Sequence, residues 1–301
     1  MESSLTIKGY CLRPNQTVGI IAPASPLDES KIREGLHLIE SFPLAVRPGR
    51  HLSNQLGYLA GTDSDRVSDL HEMFADPDIK AILCARGGYG SARLLDGIDF
   101  SLIRDNPKII VGFSDLTALL MGLFTHCGLI VIHGPTLADL SENNNWLHLS
   151  RLITTPHKPR VSLKDGEIIT HGKARGMLLG GNMSTVCSLL DTPFLPSFEG
   201  AILFLEEKGE SPYRLDRMLT QLLLSGRLHQ ISALIMGQLV DCGEKEVLSL
   251  LLRERLSGLA IPVATGLPVG HGRENVALPL GIPAHIDTER MILEILEPAV
   301  T

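Results

Sequence analysis

One serine lies where a protein chain can expose a reactive hydroxyl. In the segment IIVGFSDLTALL (109–120), an apolar run leads into Ser114, and helical periodicity begins after Asp115. A serine on such a sharp strand-to-helix turn has an accessible hydroxyl, and the free N–H groups of the helix start point at any oxyanion beside it. The pattern predicts a nucleophile elbow, although Leu116 stands where the G-x-S-x-G motif has glycine. A helix N-cap is the alternative role of Ser114.

An activated serine needs a base to take its proton and an acid to orient that base. Among the eleven histidines, His271 in LPVGHGRENVALPLG is flanked by glycines and follows an apolar strand, so we expect its imidazole on a loop at a strand end. His126, in a predicted helix, and His285, in a predicted strand, are expected to pack or to lie on the surface. His271 is therefore the candidate base.

The candidate acid is one of two adjacent carboxylates. The segment AILFLEE ends an apolar strand with Glu206 and Glu207. Because side chains alternate along a strand, the two carboxylates point to opposite faces, and only one can face a cleft. The spacing does not say which one, and a solvated strand end is the alternative for both.

A glycine-rich turn, RGGYG (86–90), follows the predicted strand KAILCA. Glycines at the carboxyl end of a parallel strand let backbone N–H groups approach a ligand closely, and open α/β sheets bind ligands at this edge. The run fits neither G-x-G-x-x-G nor a P-loop, so a phosphate site is not indicated. A plain tight turn is the alternative interpretation.

The composition describes a large and slightly acidic chain. Of 301 residues, 44% are hydrophobic and 20% are charged, which is enough apolar material for a large core and two modest domains. The formal net charge of −7, without a basic run, argues against a nucleic-acid partner. We expect a cytoplasmic protein without a membrane span, because the sequence has neither a signal-like start nor a run of roughly 18 apolar residues. Five scattered cysteines without a C-x-x-C pair predict reduced structural thiols.

Apolar runs alternate with amphipathic stretches, as in parallel strands joined by crossover helices. Strands are predicted at TVGIIAP, KAILCA and KIIVG, and helices at ESKIREGLHLIES and over 63–75. The stretch over 141–172 is rich in Asn, Thr, His and charge, so we expect a connector there. The predicted division is an N-terminal α/β domain over 1–140, this connector, and a mixed α/β domain over 173–301 that ends in β structure.

Taken together, several segments resemble the LD-carboxypeptidase family of serine peptidases, which includes murein tetrapeptide carboxypeptidases and microcin-immunity peptidases. The matching segments extend through nearly the whole chain and are IIAPASP, AGTDSDRVSDL, ARGGYGSARLLDGID, GFSDLTALL, HGP, GGNMSTVCSLLDTP, LFLEEKGESPYRLDRMLTQL and GHGRENVALPLG. The resemblance implies that Ser114 is the nucleophile, Glu206 the acid and His271 the base. Glu207 stands where many members have aspartate, which retains the charge.

The resemblance also implies a fold. The N-terminal domain would contain a flavodoxin-like or amidotransferase-like parallel sheet, and the C-terminal domain a small β-barrel-like sheet. Ser114 would come from the first domain and Glu206 and His271 from the second, so the site would lie between them. The resemblance implies no metal or cofactor, and the sequence has no compact cluster of metal-ligating residues.

The implied reaction assigns further residues. The oxyanion would be bound by the backbone N–H of Asp115 and by that of Gly87 or Gly88. A carboxypeptidase must also recognise a terminal carboxylate, and the guanidinium of Arg86 is chemically suited to bind it. An ion pair that braces the turn is the alternative role of Arg86.

The implied substrate is a small peptide, the muropeptide-derived tetrapeptide L-Ala-γ-D-Glu-diamino acid-D-Ala, cleaved by a homodimer in peptidoglycan recycling. A microcin-immunity-type amidase acting on a peptidyl or aminoacyl nucleotide is the alternative. It needs a surface for an aromatic base, and the feature to check is whether Trp146 reaches the cleft. A non-enzymatic small-ligand binding protein, with Ser114 as a cap, is more remote. A thiol glutaminase is disfavoured because Cys84 lies within a strand.

Overall fold

The computed structural model describes residues 6–142, 144–163 and 165–301, which form two β-sheets flanked by helices. The helices are α1 (Glu29–Glu40), α2 (Asp63–Ala75), α3 (Phe100–Asp105), α4 (Thr117–Cys127), α5 (Asn145–Thr154), α6 (Met183–Ser188), α7 (Pro212–Leu224), α8 (Arg227–Gln230) and α9 (Lys245–Leu256). The strands are β1 (Thr17–Ile21), β2 (Ala45–Pro48), β3 (Ile79–Cys84), β4 (Ile109–Gly112), β5 (Val131–His133), β6 (Arg160–Ser162), β7 (Ile168–Thr170), β8 (Lys173–Asn182), β9 (Ile202–Lys208), β10 (Ala233–Val240), β11 (Val263–Ala264), β12 (Leu278–Leu280), β13 (Ile282–Asp287) and β14 (Ile292–Ile295).

The first sheet has six strands in the order β12-β5-β4-β3-β1-β2. Strands β1 to β5 run parallel to their neighbours, and β12 pairs antiparallel with β5. Every residue of β4 is buried, as expected for a parallel sheet with both faces covered. The predicted strands TVGIIAP, KAILCA and KIIVG are confirmed as β1, β3 and β4.

Strand β12 comes from the far end of the chain. Its first residue, Leu278, pairs with His133 at the carboxyl end of β5. Residues predicted in the domain over 173–301 therefore complete the first sheet. The loop before β12 carries His271, so this pairing brings the loop to the carboxyl edge of the sheet, where ligands bind in open α/β folds.

The second sheet has eight strands in the order β6-β14-β13-β8-β9-β10-β11-β7. Its centre, from β8 to β11, is parallel, and the strands on both sides are antiparallel. The family resemblance implied a small β-barrel-like sheet in this part of the chain, and the sheet found there has eight strands. Two mixed sheets with packed helices confirm the predicted α/β class.

The predicted connector over 141–172 carries regular structure. Helix α5 lies in it, and β6 and β7 are the two outer strands of the second sheet. Each of these strands has three residues, most of them only partly buried or exposed, so their hydrophobic pattern is weak. The position of the domain boundary stays a prediction.

Helix α4 packs against both sheets. It is buried on almost all sides, because it contacts β5 of the first sheet and β8 of the second. One hydrophobic core includes residues from both sheets, such as Ile110 of β4 and Leu203 of β9. Ser114 lies directly before α4 and therefore at this junction. Within the described residues, no helix combines the length and the apolar character needed to cross a membrane.

Candidate active site

Ser114 follows the end of β4 on a strained turn. Phe113 is extended, and Ser114 has a φ of 65°. This left-handed conformation costs roughly 1–2 kcal/mol for a residue other than glycine, and such strain persists where the surrounding structure enforces it. Leu116 is fully buried, so core packing occupies the position where the common elbow motif has glycine. The backbone thus has the conformation of a nucleophile elbow.

His271 joins Ser114 to Glu206 through two hydrogen bonds. Its Nε2 lies 2.9 Å from Ser114 Oγ, and its Nδ1 lies 2.7 Å from Glu206 Oε2. A proton on Nδ1 can be donated to the carboxylate, which leaves Nε2 free to accept the serine proton. Phe113 packs against the imidazole at a centroid distance of 4.8 Å. The arrangement can perform general-base activation of a hydroxyl.

Glu206 is fully buried at the end of β9. Burial raises the pKa of its carboxyl, while the hydrogen bond from His271 acts in the opposite direction. Among the described residues, its Oε1 has no hydrogen-bond partner. A buried carboxylate with so few partners destabilises a fold, and groups of this kind are common at functional sites.

Glu207 lies in a different environment from Glu206. Its carboxylate accepts hydrogen bonds from Asn182 Nδ2 and from the backbone N–H of Ser184, both at 2.8 Å, and it lines the cleft beside Ser114. The sequence predicted that only one of the two glutamates faces the cleft. That one is Glu207, whereas Glu206 lies behind the imidazole.

The glycine turn lies against the serine. A methyl group on Gly87 would lie 2.8 Å from Ser114 Cβ, so this close approach requires glycine. Gly88 has a φ of 109°, which also favours glycine. Asp115 ties the two turns together, because its carboxylate accepts the backbone N–H of Ser91 at 2.8 Å and its carbonyl accepts the Ser91 hydroxyl at 2.6 Å.

The backbone donors predicted for an oxyanion are available. Within the part of the chain that the structure describes, the N–H groups of Gly87, Gly88 and Asp115 have no backbone or side-chain acceptor. Gly88 and Asp115 also line the cleft, whereas Gly87 does not. Two residues whose N–H groups have no acceptor, Gly88 and Asp115, therefore line the same cleft as Ser114.

The cleft beside Ser114 has a volume of about 570 Å³, within the range of small-molecule sites. Two basic side chains line it, Arg93 and Lys208. Arg93 donates two hydrogen bonds to Asp63, while Lys208 is exposed. The sequence did not single out Lys208, although its place directly after Glu206 and Glu207 was the available signal.

Arg86 does not line this cleft. Its Nη1 donates to the carbonyl of Pro26 at 3.1 Å, so among the described residues the guanidinium braces the turn through a backbone oxygen rather than through an ion pair. Its proposed contact with substrate stays a prediction.

A larger cavity of about 660 Å³ lies apart from these residues. Its lining includes His148, Arg151, Lys158 and Glu274 but neither Ser114 nor His271. Volume alone therefore does not identify the reactive site, and we assign chemistry to the smaller cleft.

Trp146 and Cys84, on which two alternative functions depended, lie away from the cleft. Trp146 is buried and packs against Phe42 at a centroid distance of 5.0 Å. Cys84 is fully buried within β3, and burial raises the pKa of its thiol. Neither side chain can meet a substrate beside Ser114. Among the described residues, no group of His, Cys, Asp and Glu side chains could hold a metal ion.

His133 is a fully buried histidine. It lies at the end of β5, packed against Phe113 and Phe204. Burial and the neighbouring His271 lower its pKa to about 3, so the imidazole is neutral. In the described part of the chain, neither ring nitrogen has a hydrogen-bond partner.

The sequence also matches known proteins. The model of the LD-carboxypeptidase N-terminal domain matches residues 18–134, and that of the LD-carboxypeptidase C-terminal domain matches residues 175–286. A probable murein peptide carboxypeptidase of Bacillus subtilis is 38% identical over 95% of this chain and 93% of the relative. The chain belongs to the LD-carboxypeptidase family. Membership makes it a serine-type peptidase.

Other members of the family include both types of enzyme named by the sequence resemblance. The murein tetrapeptide carboxypeptidase of Pseudomonas aeruginosa is 36% identical and aligns over 91% of this chain and 94% of its own length. The solved muramoyltetrapeptide carboxypeptidase of Oxalobacter formigenes superposes with a TM-score of 0.84 at 31% identity, over 93% of this chain and 98% of the other. MccF in complex with glutamyl sulfamoyl guanosine superposes with a TM-score of 0.87 at 26% identity, over 98% and 99% of the two chains.

Proposed function

We propose that this protein is a serine LD-carboxypeptidase that removes the terminal D-Ala from the tetrapeptide L-Ala-γ-D-Glu-diamino acid-D-Ala in peptidoglycan recycling. The observation that carries the proposal is the pair of hydrogen bonds that connects Ser114, His271 and Glu206 beside an open cleft. The substrate class comes from the names of the Bacillus and Pseudomonas relatives, each of which aligns with more than nine-tenths of this chain.

In the acylation step, His271 Nε2 takes the proton of Ser114, and Ser114 Oγ attacks the carbonyl carbon that joins the diamino acid to D-Ala. The ionised carboxylate of Glu206 stabilises the imidazolium through its Nδ1–H. His271 then donates the proton to the amide nitrogen, and the C–N bond breaks. D-Ala leaves, and the tripeptide remains as an ester on Ser114.

Water completes the reaction in the deacylation step. His271 takes a proton from the water molecule, whose oxygen attacks the ester carbonyl carbon. The proton returns to Ser114 Oγ as the ester C–O bond breaks. The tripeptide is released, and the serine hydroxyl is restored.

The oxyanion of both tetrahedral intermediates would be bound by the N–H groups of Asp115 and Gly88, with Gly87 as the alternative donor. The first two residues line the cleft, and each N–H is free of acceptors within the described residues. Loss of one such donor typically lowers kcat on the order of 100- to 1,000-fold.

The terminal carboxylate of the peptide needs a cationic partner. Arg86 was the candidate from the sequence, but Lys208 lines the cleft and Arg86 does not. We therefore favour Lys208 as the group that binds this carboxylate. Its ammonium would act as a point charge rather than as a bidentate fork.

The homodimeric state comes from the family resemblance, and the cytoplasmic location is the expectation drawn from the sequence pattern. Sedimentation equilibrium of the purified chain would test the dimer, and a mass of one chain would reject it. Fractionation of the source cells would test the location.

Release of D-Ala from the synthetic tetrapeptide with meso-diaminopimelate as the diamino acid tests the main proposal. We expect release by the wild type and none by folded Ser114→Ala, because the nucleophile is lost. A folded wild type that releases no D-Ala would reject the murein substrate. Release by Ser114→Ala would reject Ser114 as the nucleophile.

A nucleotide-cleaving amidase of the MccF type is the second candidate. Tyr89 favours it, because this residue is 56% exposed and lines the cleft, and its ring packs edge-on against that of Tyr58. An exposed aromatic ring of this kind can stack on a nucleobase. Cleavage of an aminoacyl nucleotide that is lost in Tyr89→Ala, without release of D-Ala from the tetrapeptide, would favour this candidate.

A further inference from the structure

Side-chain amides bind the backbone N–H groups on both sides of His271. Asn275 Oδ1 accepts a hydrogen bond from Gly270 N at 3.1 Å, and Gln238 Oε1 accepts one from Gly272 N at 2.6 Å. The flanking glycines have no side chains that could anchor the loop themselves. The two amide oxygens therefore set the position of the backbone from which the imidazole projects.

Each amide is anchored to an element outside the loop. Gln238 belongs to β10, and its Nε2 also donates to Glu274 O at 2.9 Å. The backbone N–H of Asn275 donates to Asn145 Oδ1 at 3.1 Å, and both asparagines are buried. Because Asn145 is the first residue of α5, the loop is tied to the second sheet on one side and to α5 on the other.

The loop backbone lies directly against the buried acid. Gly270 has a φ of 122°, and a methyl group on it would lie 2.6 Å from Glu206 Oε2. A shift of this backbone would therefore change the distance between Glu206 and His271. The hydrogen bond that Gly270 N donates to Asn275 Oδ1 fixes the backbone at this point.

We propose that Asn275 and Gln238 are positioning residues, which keep the imidazole of His271 between Ser114 and Glu206. The inference rests on the proposed role of His271 but not on the identity of the peptide. Neither amide lines the cleft, so substrate binding should change little when either is lost. Misplacement of a catalytic group by about 1 Å can cost about 100-fold, and we expect kcat to fall on the order of 10- to 100-fold with KM nearly unchanged.

The test compares Asn275→Ala and Gln238→Ala with Asn106→Ala. Asn106 is a matched control, because its Nδ2 donates to Leu102 O at 2.9 Å at the end of α3. The two readouts are the rate at which a fluorophosphonate labels Ser114 and the downfield ¹H NMR signal of the His271 Nδ1 proton. We expect labelling to slow and the signal to weaken or shift in the two positioning variants only.

A conservative variant separates positioning from stability. Gln238→Glu keeps an acceptor oxygen for Gly272 N and should recover part of the labelling rate that Gln238→Ala loses. Folded alanine variants with wild-type labelling and an unchanged NMR signal would overturn the inference. Because neither readout uses a peptide, a wild type that labels but releases no D-Ala would reject only the proposed substrate.

Discussion

Ser114 Oγ and His271 Nε2 lie 2.9 Å apart although 157 positions separate the two residues in the chain. Ser114 follows β4 of the first sheet, and His271 precedes β12, which returns from the second half of the chain to the edge of that sheet. The contact therefore depends on long-range strand pairing. Glu206 is added from β9 of the second sheet, so both sheets must be folded for the three side chains to meet.

Because the turn at Ser114 is strained, replacing this serine with glycine should give a more stable protein than replacing it with alanine. Ser114→Gly and Ser114→Ala should both abolish D-Ala release, but the glycine variant should have the higher free energy of unfolding, by about 1 kcal/mol, because a φ of 65° suits glycine. At Ser257, which has a φ of −63° after α9, alanine should be the more stable replacement. Urea denaturation of the glycine and alanine variants at positions 114 and 257 checks both comparisons. Equal free energies of unfolding for Ser114→Gly and Ser114→Ala would contradict the strain.

Glu206→Gln should remove activity and stabilise the fold. Burial raises the folded-state pKa of Glu206 above its unfolded value near 4.5, so stability from this group is present at lower pH and is lost as pH rises through the folded-state pKa. The uncharged amide avoids this loss, and we expect Tm at neutral pH to rise by roughly 2–4 °C. Calorimetry at several pH values measures the difference, which should shrink as the pH falls toward 4.5. A lower Tm at neutral pH would show that the buried charge is well compensated.

His133→Leu should reduce the sensitivity of the fold to acid. The pKa of His133 is lowered from 6.5 to about 3, so its neutral form contributes stability above pH 6.5 that is lost as pH falls toward 3. The wild type should lose about 1.4 kcal/mol per pH unit from this group in that interval, and the leucine variant should not. Urea denaturation at neutral and mildly acidic pH measures this difference. His37→Leu, at an exposed position of α1, is the control. Its free energy of unfolding should vary with pH as that of the wild type does.

Much of the fold could be predicted because its strands are buried. The segments that became β1, β3 and β4 are short apolar runs with turn residues beside them, and α2, predicted over 63–75, begins with a capping box of Thr62 and Asp65. Strands β6 and β7 were missed because short edge strands bury few side chains. The return of β12 to the first sheet is a long-range pairing that local patterns do not contain.

The candidate site was predictable only in part from the residues themselves. The elbow at Ser114 and the glycine loop at His271 have local signatures, whereas the choice between Glu206 and Glu207 depended on the family resemblance. Asn275 and Gln238 could not be recognised, because an amide that binds backbone N–H groups leaves no spacing pattern. Their role becomes visible only when the partners are close in space.

Gly88→Ala should impair catalysis more than stability. Gly88 has a φ of 109°, and a methyl group there would overlap Ser25 Oγ, which accepts the N–H of Tyr89 at 3.1 Å. The turn would have to shift and misalign the proposed oxyanion donor, so we expect kcat to fall on the order of 100-fold. Gly57 is the matched control, since it has a φ of 60° with nothing within 4 Å. Gly57→Ala also places alanine at a positive φ but meets no atom, so it should lose less stability than Gly88→Ala and keep its kcat. Equal kcat values for the two variants would argue against Gly88 as an oxyanion donor.

The recognition of the terminal carboxylate predicts different effects for two basic residues. Lys208→Ala should raise KM for the tetrapeptide about 10-fold with kcat nearly unchanged, because a charge-assisted contact made equally in the ground state and the transition state is lost. Arg86→Ala should leave KM close to the wild-type value, since its guanidinium already donates to the carbonyl of Pro26 and lies outside the cleft. Steady-state kinetics of D-Ala release compares the two. If Arg86→Ala raises KM and Lys208→Ala does not, the carboxylate is bound at the glycine turn. Arg86 must then give up its hydrogen bond to the carbonyl of Pro26 and bind the substrate carboxylate instead.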